Sequence, residues 1–151
     1  MKEAHAIPVS NIKPFIMGGH ATITLHNINE DRHLTYKISL PKKVEEGKPY
    51  PLFVGVLTGP NNEESYTYLG LIWGALDGNL KFVHAKKSKI GWDATSSKAF
   101  RWFFNHVVDG KDFPAGFEAL HHGHCGVCGR KLTTPESIEA GIGPVCLGKV
   151  A

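Results

Sequence analysis

All three cysteines of the chain, and three of its nine histidines, fall within two short C-terminal stretches. One is His121-His122-Gly123-His124-Cys125-Gly126-Val127-Cys128-Gly129-Arg130 and the other is Gly143-Pro144-Val145-Cys146. Cys125 and Cys128 stand as Cys-x-x-Cys, a spacing from which two thiolates reach one metal ion out of a tight turn. Gly126 and Gly129 suit that turn, because glycine takes positive φ without a Cβ clash. A tetrahedral zinc needs four ligands, so Cys146 and one of the crowded histidines are expected to complete the set. The expectation is a single structural Zn2+ held by Cys125, Cys128, Cys146 and His121. His121 is favoured because it lies four residues before Cys125, with Gly123 between them to let the chain fold back. His122 comes next, and the imidazole of His124, adjacent to Cys125, should point away from the metal.

Other chemistries fit the pattern less well. A thioredoxin-like redox pair opens a helix after a strand, whereas this Cys-x-x-Cys follows a histidine-rich loop and precedes Lys131-Leu132-Thr133-Thr134-Pro135, which reads as a short strand and a turn. A disulfide would leave one of the three cysteines over. A catalytic zinc keeps an open position and an acid or base beside it, and a shell of three cysteines and one histidine is closed. Gly141-Ile142-Gly143-Pro144 is read as the bend that delivers Cys146. Its likeness to a phosphate-holding DNA hairpin lacks two flanking helices.

The stretch His121-x-Gly123-x-Cys125-x-x-Cys128-Gly129-Arg130-x-Leu132-Thr133-x-Pro135-x-Ser137-Ile138-x-x-Gly141-Ile142-Gly143-Pro144-x-Cys146 resembles a small zinc-knuckle module. That module recurs at the C-terminus of uncharacterised phage and mobile-element proteins. Phe15-Ile-Met-Gly18-Gly-His-Ala21-Thr22-Ile-Thr24-Leu and Thr35-Tyr36-Lys37-Ile38 are similar to the β domain that accompanies it in some of them. The resemblance implies a zinc-bound module with ligands at the matching positions and a phage origin. It implies no activity.

The elements that must position the cluster read as an α+β chain: an antiparallel sheet domain with one packed helix, followed by the zinc module. Residues 1–17, with Pro8 and Pro14 and no periodic pattern, are expected to be an extended arm. Residues 18–112 form the β-rich domain and 113–151 the module. Strict alternation over Ala21–His26 and Leu34–Leu40, around the turn residues Asn27–Asp31, predicts a hairpin. Leu52–Leu57 is apolar on both faces and reads as a central strand covered on each side. Tyr66–Trp73 and Leu80–His84 add two strands, with turns at Gly59–Asn62 and Asp77–Gly78. In the first of them Leu69, Leu71 and Trp73 are assigned to one face and Tyr66, Tyr68 and Ile72 to the other. Thr95-Ser96-Ser97 can cap a helix reaching about Val108, with Phe100, Phe103 and Phe104 at helical spacing. Asp109-Gly110 ends it, and Pro135–Glu139 begins a second helical turn.

At 151 residues and net charge +3 the chain can bury one moderate core. No apolar run approaches a bilayer span of ~18 residues, so no membrane partner is expected. The first residues do not make a signal peptide, and zinc thiolates fit the reducing cytoplasm of a host cell. The positive charge is uneven. Lys81, Lys86, Lys87, Lys89, Lys98 and Arg101 face only Asp93 between residues 81 and 106, which suits a phosphate-facing surface. Tyr66 and Tyr68 could stack bases beside it. The first expectation is a nucleic-acid-binding accessory protein, on DNA or RNA, that uses Lys86, Lys87, Lys89, Lys98, Arg101, Tyr66 and Tyr68. The alternative is an interaction factor that modulates a host or defence protein. An enzyme is not expected, because no triad, carboxylate pair or phosphate-cradling glycine loop is present.

Overall fold

The structure, a computed structural model, describes residues 5–59, 65–74, 78–143 and 146. Among these residues seven strands form one sheet: β1 (His5–Ala6), β2 (His20–Asn27), β3 (Arg32–Ser39), β4 (Leu52–Leu57), β5 (Tyr66–Trp73), β6 (Lys81–His84) and β7 (Phe117–His121). Their spatial order is β1-β7-β2-β3-β4-β5-β6, and every pairing is antiparallel. The helices α1 (Val9–Met17), α2 (Thr95–Asp109) and α3 (Pro135–Ala140) accompany the sheet.

The β2–β3 hairpin forms at the alternation that predicts it, and Asp31 closes its turn at φ 49°. Ala21, Ile23 and Leu25 share a face with Leu34, Tyr36 and Ile38, and α2 packs on that face. The rings of Tyr36 and Phe82 lie 5.0 and 4.9 Å from Phe100. The Tyr36 hydroxyl donates to the Ser96 carbonyl at 2.7 Å. Burial pushes that phenol well above its usual range, so it stays a protonated donor. Gly110 ends α2 in the left-handed region (φ 66°), as its place after Asp109 predicts. The helix start differs from expectation. Its N-cap is Ala94 with no side-chain cap, and the Ser97 hydroxyl donates instead to the Gly91 carbonyl.

Residues 5–17 are not the extended arm that two prolines suggest; residues 1–4 of that arm lie outside the described residues. His5–Ala6 pairs with β7, and Pro8 then leads into α1. Pro14 sits inside this helix, where a missing N–H and a ring clash cost about 3 kcal/mol. Ile12, Phe15 and Ile16 are all buried, and each contributes about 1.5–3 kcal/mol. Burial outweighs the proline, and an (i, i+3, i+4) pattern of only three residues was too short to read as a helix.

A boundary at residue 113 is also not where the structure divides. β7 lies inside the expected module, yet it is inserted between β1 and β2 of the main sheet. The sequence turns that fall on residues 60–62 and Asp77 lie outside the described residues.

Phe103 is wholly buried and stacks on Phe113 at 5.8 Å. Phe103→Ala should lower the unfolding free energy by roughly 3–5 kcal/mol. Urea denaturation would show this as a lower midpoint at unchanged slope.

Candidate metal centre and open sheet face

The turn that carries the cysteines is built by short backbone bonds. Cys125 N–H donates to the Arg130 carbonyl at 2.9 Å, Gly129 N–H to the Cys125 carbonyl at 2.8 Å, and Leu132 N–H to the Gly123 carbonyl at 2.8 Å. Gly129 takes φ 79°, as a turn glycine should. Gly126 is required for another reason. A Cβ there would come 2.5 Å from the Phe15 ring, and one on Gly18 would come 2.3 Å from the Val127 Cα. The two glycines let the turn lie directly on the end of α1. His20 clamps it from β2, with its N–H donating to the Gly126 carbonyl at 3.1 Å and its Nδ1 donating to the Val127 carbonyl at 2.8 Å.

α3 returns the chain to this turn. Thr134 caps it in a reciprocal capping box with Ser137, and Gly141 ends it at φ 75°. The sulfurs of Cys125, Cys128 and Cys146 lie within 4.8 Å of one another, close enough for one ion to touch all three at Zn–S-like distances of about 2.3 Å. Gly143 N–H donates to the Cys125 sulfur at 3.3 Å, so this amide is directed at the cysteine cluster. Burial alone would push the Cys125 thiol up, but backbone N–H groups of Gly143, Cys128 and Val127, with the Cys128 thiol, hold it below the usual value. Cys146 is pushed up by burial and by its two sulfur neighbours. Three sulfurs gathered this closely, with N–H donors aimed at one of them, fit a site completed by a cation.

His121 is not part of this cluster. It is wholly buried on the inner face of β7. Gly123 N–H donates to its Nδ1 at 3.0 Å, so Nε2 carries the proton and donates to the Ile138 carbonyl. Both nitrogens that could bind metal are taken by backbone. Burial lowers its pKa and keeps the ring neutral. His122 turns to the opposite face, with Nε2 2.7 Å from the Thr24 hydroxyl, and the exposed His124 donates from Nδ1 to the Gly129 carbonyl at 3.2 Å. The ligand expected from spacing is a structural link instead, and spacing cannot reveal which partner satisfies a ring nitrogen.

The other candidate residues separate into two groups. The register of β4 and β5 shifts between Val54 and Gly55. Before the shift Phe53 pairs with Leu71, and after it Gly55 pairs with Tyr68. Strict alternation would set Tyr66 and Tyr68 against Leu71 and Trp73; the extra residue brings all four to one face. That outer face also carries Lys37, Phe53, Lys81 and Val83. Phe53, Tyr68, Trp73 and Val83 are 40, 38, 37 and 42% exposed, so among the described residues β4 is covered on one side only, contrary to the doubly covered strand expected. Lys37 Nζ sits 5.6 Å from the Tyr66 ring centre. The loop after β6 carries exposed Lys86, Lys87 and Lys89, and its Ser88 hydroxyl donates to the Tyr68 carbonyl at 2.6 Å. This pins the basic loop beside Tyr68. Lys98 and Arg101 are on α2, which packs on the opposite face of the sheet, although Arg101 reaches the β6 edge and lines a cavity there with Lys81. Arg101 stacks 3.6 Å over the Trp92 ring and donates to the Trp92 carbonyl.

His121→Gln should leave the metal stoichiometry at about one ion per chain while costing roughly 1–3 kcal/mol, because a buried bond is lost. Cys128→Ser should release the metal. Elemental analysis of both variants, with thermal unfolding, checks the pair. Residues 115–151 match the model of a family of unknown function, DUF6011, and the match takes in β7 as well as the cysteine turn. The C-terminal part of the chain is thus similar to an uncharacterised family, as the motif implies. No curated protein and no solved structure matches the chain.

Proposed function

We propose that this protein binds single-stranded nucleic acid across the uncovered face of β4–β6, and that a zinc ion on Cys125, Cys128 and Cys146 holds the C-terminal module in the fold. The observation that carries the reading is the register shift that gathers Tyr66, Tyr68, Leu71 and Trp73 with Phe53. Aromatic rings on an exposed sheet stack bases without reading their sequence, at about 1–3 kcal/mol per base. Bases in a duplex are already stacked, so such a face favours a single strand. Lys37 and Lys81 on the same face, and Lys86, Lys87 and Lys89 in the adjoining loop, supply charge for the backbone. Lys98 and Arg101 are left out of this set.

Zinc suits the site because it is redox-inert and accepts thiolates in a tetrahedral shell. Its role here is to stabilise the fold, and the protein acts as a binding protein rather than an enzyme. In this reading it is a phage-type accessory factor of the host cytoplasm, where reducing conditions preserve the thiolates. The same apolar face would also suit a protein partner, which is the outcome to weigh against nucleic acid.

Fluorescence anisotropy with labelled single-stranded DNA, single-stranded RNA and duplex DNA tests the proposal. Single strands should bind more tightly, with a log–log salt slope of about −2 if the three loop lysines each neutralise one phosphate. Tyr68→Ala should cost about 1–3 kcal/mol of binding at unchanged metal content, and charge reversal of Lys86, Lys87 and Lys89 should abolish it. No binding at low salt, or a triple variant that binds like the parent, would give the face to a protein partner.

A further inference from the structure

A metal held by Cys125, Cys128 and Cys146 has three ligands among the described residues, and no histidine or carboxylate joins the group. The nearby histidines stand outside the group: His121 bonds the backbone through both nitrogens, His122 meets Thr24 through Nε2 while its buried Nδ1 has no hydrogen-bond partner among the described residues, and His124 meets the Gly129 carbonyl through Nδ1. A cavity of about 360 Å3 opens on the three sulfurs. Its walls include Arg130, Lys131, Leu132, Thr134 and Ser137. That space exceeds the ~30 Å3 share of a single water and admits a small organic molecule.

We infer that this centre takes its fourth ligand from outside the chain, and that the ligand is a low-molecular-weight thiol bound through its sulfur as thiolate. The inference rests on the metal reading above. Three thiolates and a dication carry one net negative charge, so a further anion needs local compensation. Arg130 and Lys131 provide it at the cavity wall, and among the described residues no acidic one lines the cavity. A shell already made of soft sulfur favours another soft donor over water or carboxylate. Leu132, on the same cavity wall, offers an apolar contact for the thiol's carbon stem. On binding, the thiol proton passes to solvent, the sulfur–metal bond forms, and no oxidation state changes.

The test is the full chain reduced with a phosphine and loaded with cobalt(II), whose visible spectrum reports ligand number and type. Titration with 2-mercaptoethanol should change the d–d bands saturably at one equivalent per chain. The sulfur-to-cobalt charge-transfer intensity should rise by about a third, the ratio of four thiolates to three. Reversing both charges, Arg130→Glu with Lys131→Glu, should weaken the thiol by roughly tenfold at low salt with cobalt stoichiometry unchanged. A spectrum that ignores the thiol, or responds more strongly to imidazole, overturns the inference, as does a double variant with parental thiol affinity. A d–d band that moves in His124→Ala would overturn it too, by revealing a protein ligand. Absence of any charge-transfer band would instead mean that the sulfurs hold no metal, and the metal reading would fail with it.

Discussion

His121 lies beside the Phe15 ring and opposite Ile23 of β2, wholly buried, where water cannot reach either ring nitrogen. The Gly123 N–H and the Ile138 carbonyl occupy both. These two bonds join three elements, because His121 ends β7, Gly123 opens the cysteine turn and Ile138 belongs to α3. His5 of β1 stacks on the ring at 5.4 Å, and Phe15 of α1 packs at 6.2 Å. Glycines at 126 and 141 make room for this junction, since a Cβ on Gly141 would come within 3.2 Å of the imidazole. An unmade bond here leaves a buried polar group at a cost of about 1–3 kcal/mol, so the ring, the strand and the turn are fixed together.

That junction decides which face of the sheet is used. α1, α2, α3 and the cysteine turn all pack against the inward residues of the strands. On the outer face the two halves of the sheet differ. Near β7 it is polar: Thr24 and Thr35 share a hydrogen bond at 2.7 Å and His122 caps them. Toward β6 it is aromatic and exposed. Exposed large side chains at Phe53, Tyr68, Trp73 and Val83 forming one neighbouring set are a different matter from the single surface hydrophobics that any protein carries.

Much of this was legible from residue types. The hairpin of β2 and β3 follows from strict alternation, α2 from phenylalanines at helical spacing, and the cysteine cluster from Cys-x-x-Cys with a distant third cysteine. What could not be read depended on long-range partners. Pro14 marks a break in isolation, and only the burial of Ile12, Phe15 and Ile16 under the sheet overcomes it. β7 is a five-residue strand whose sheet neighbours are distant in sequence, so no local pattern assigns it to the sheet rather than to the module. The aromatic face was hidden by a single extra residue. Period-two reasoning carries a strand's faces forward unchanged, and one bulge inverts every assignment beyond it. His121 was noticed for the right reason, its place before the cysteines, and was given the wrong bonds.

The two sites therefore lie at opposite ends of the same sheet. A metal on the three cysteines would close the loop between Cys128 and Cys146, which carries α3, and so would stabilise β7, the strand that seats beside β1 and β2. The aromatic face depends on β4, β5 and β6, which are joined to neighbours in sequence order and backed by α2 through Phe82, Phe100 and Phe104. Stability gained at the cysteines reaches that face only through the shared strands β2 and β3. An exposed apolar face adds nothing to folding by itself, so the core behind it must hold the sheet without its help. Crowding the helices and the cysteine turn onto the inner face accomplishes this, and among the described residues it leaves Phe53, Tyr68 and Trp73 exposed on the outer one.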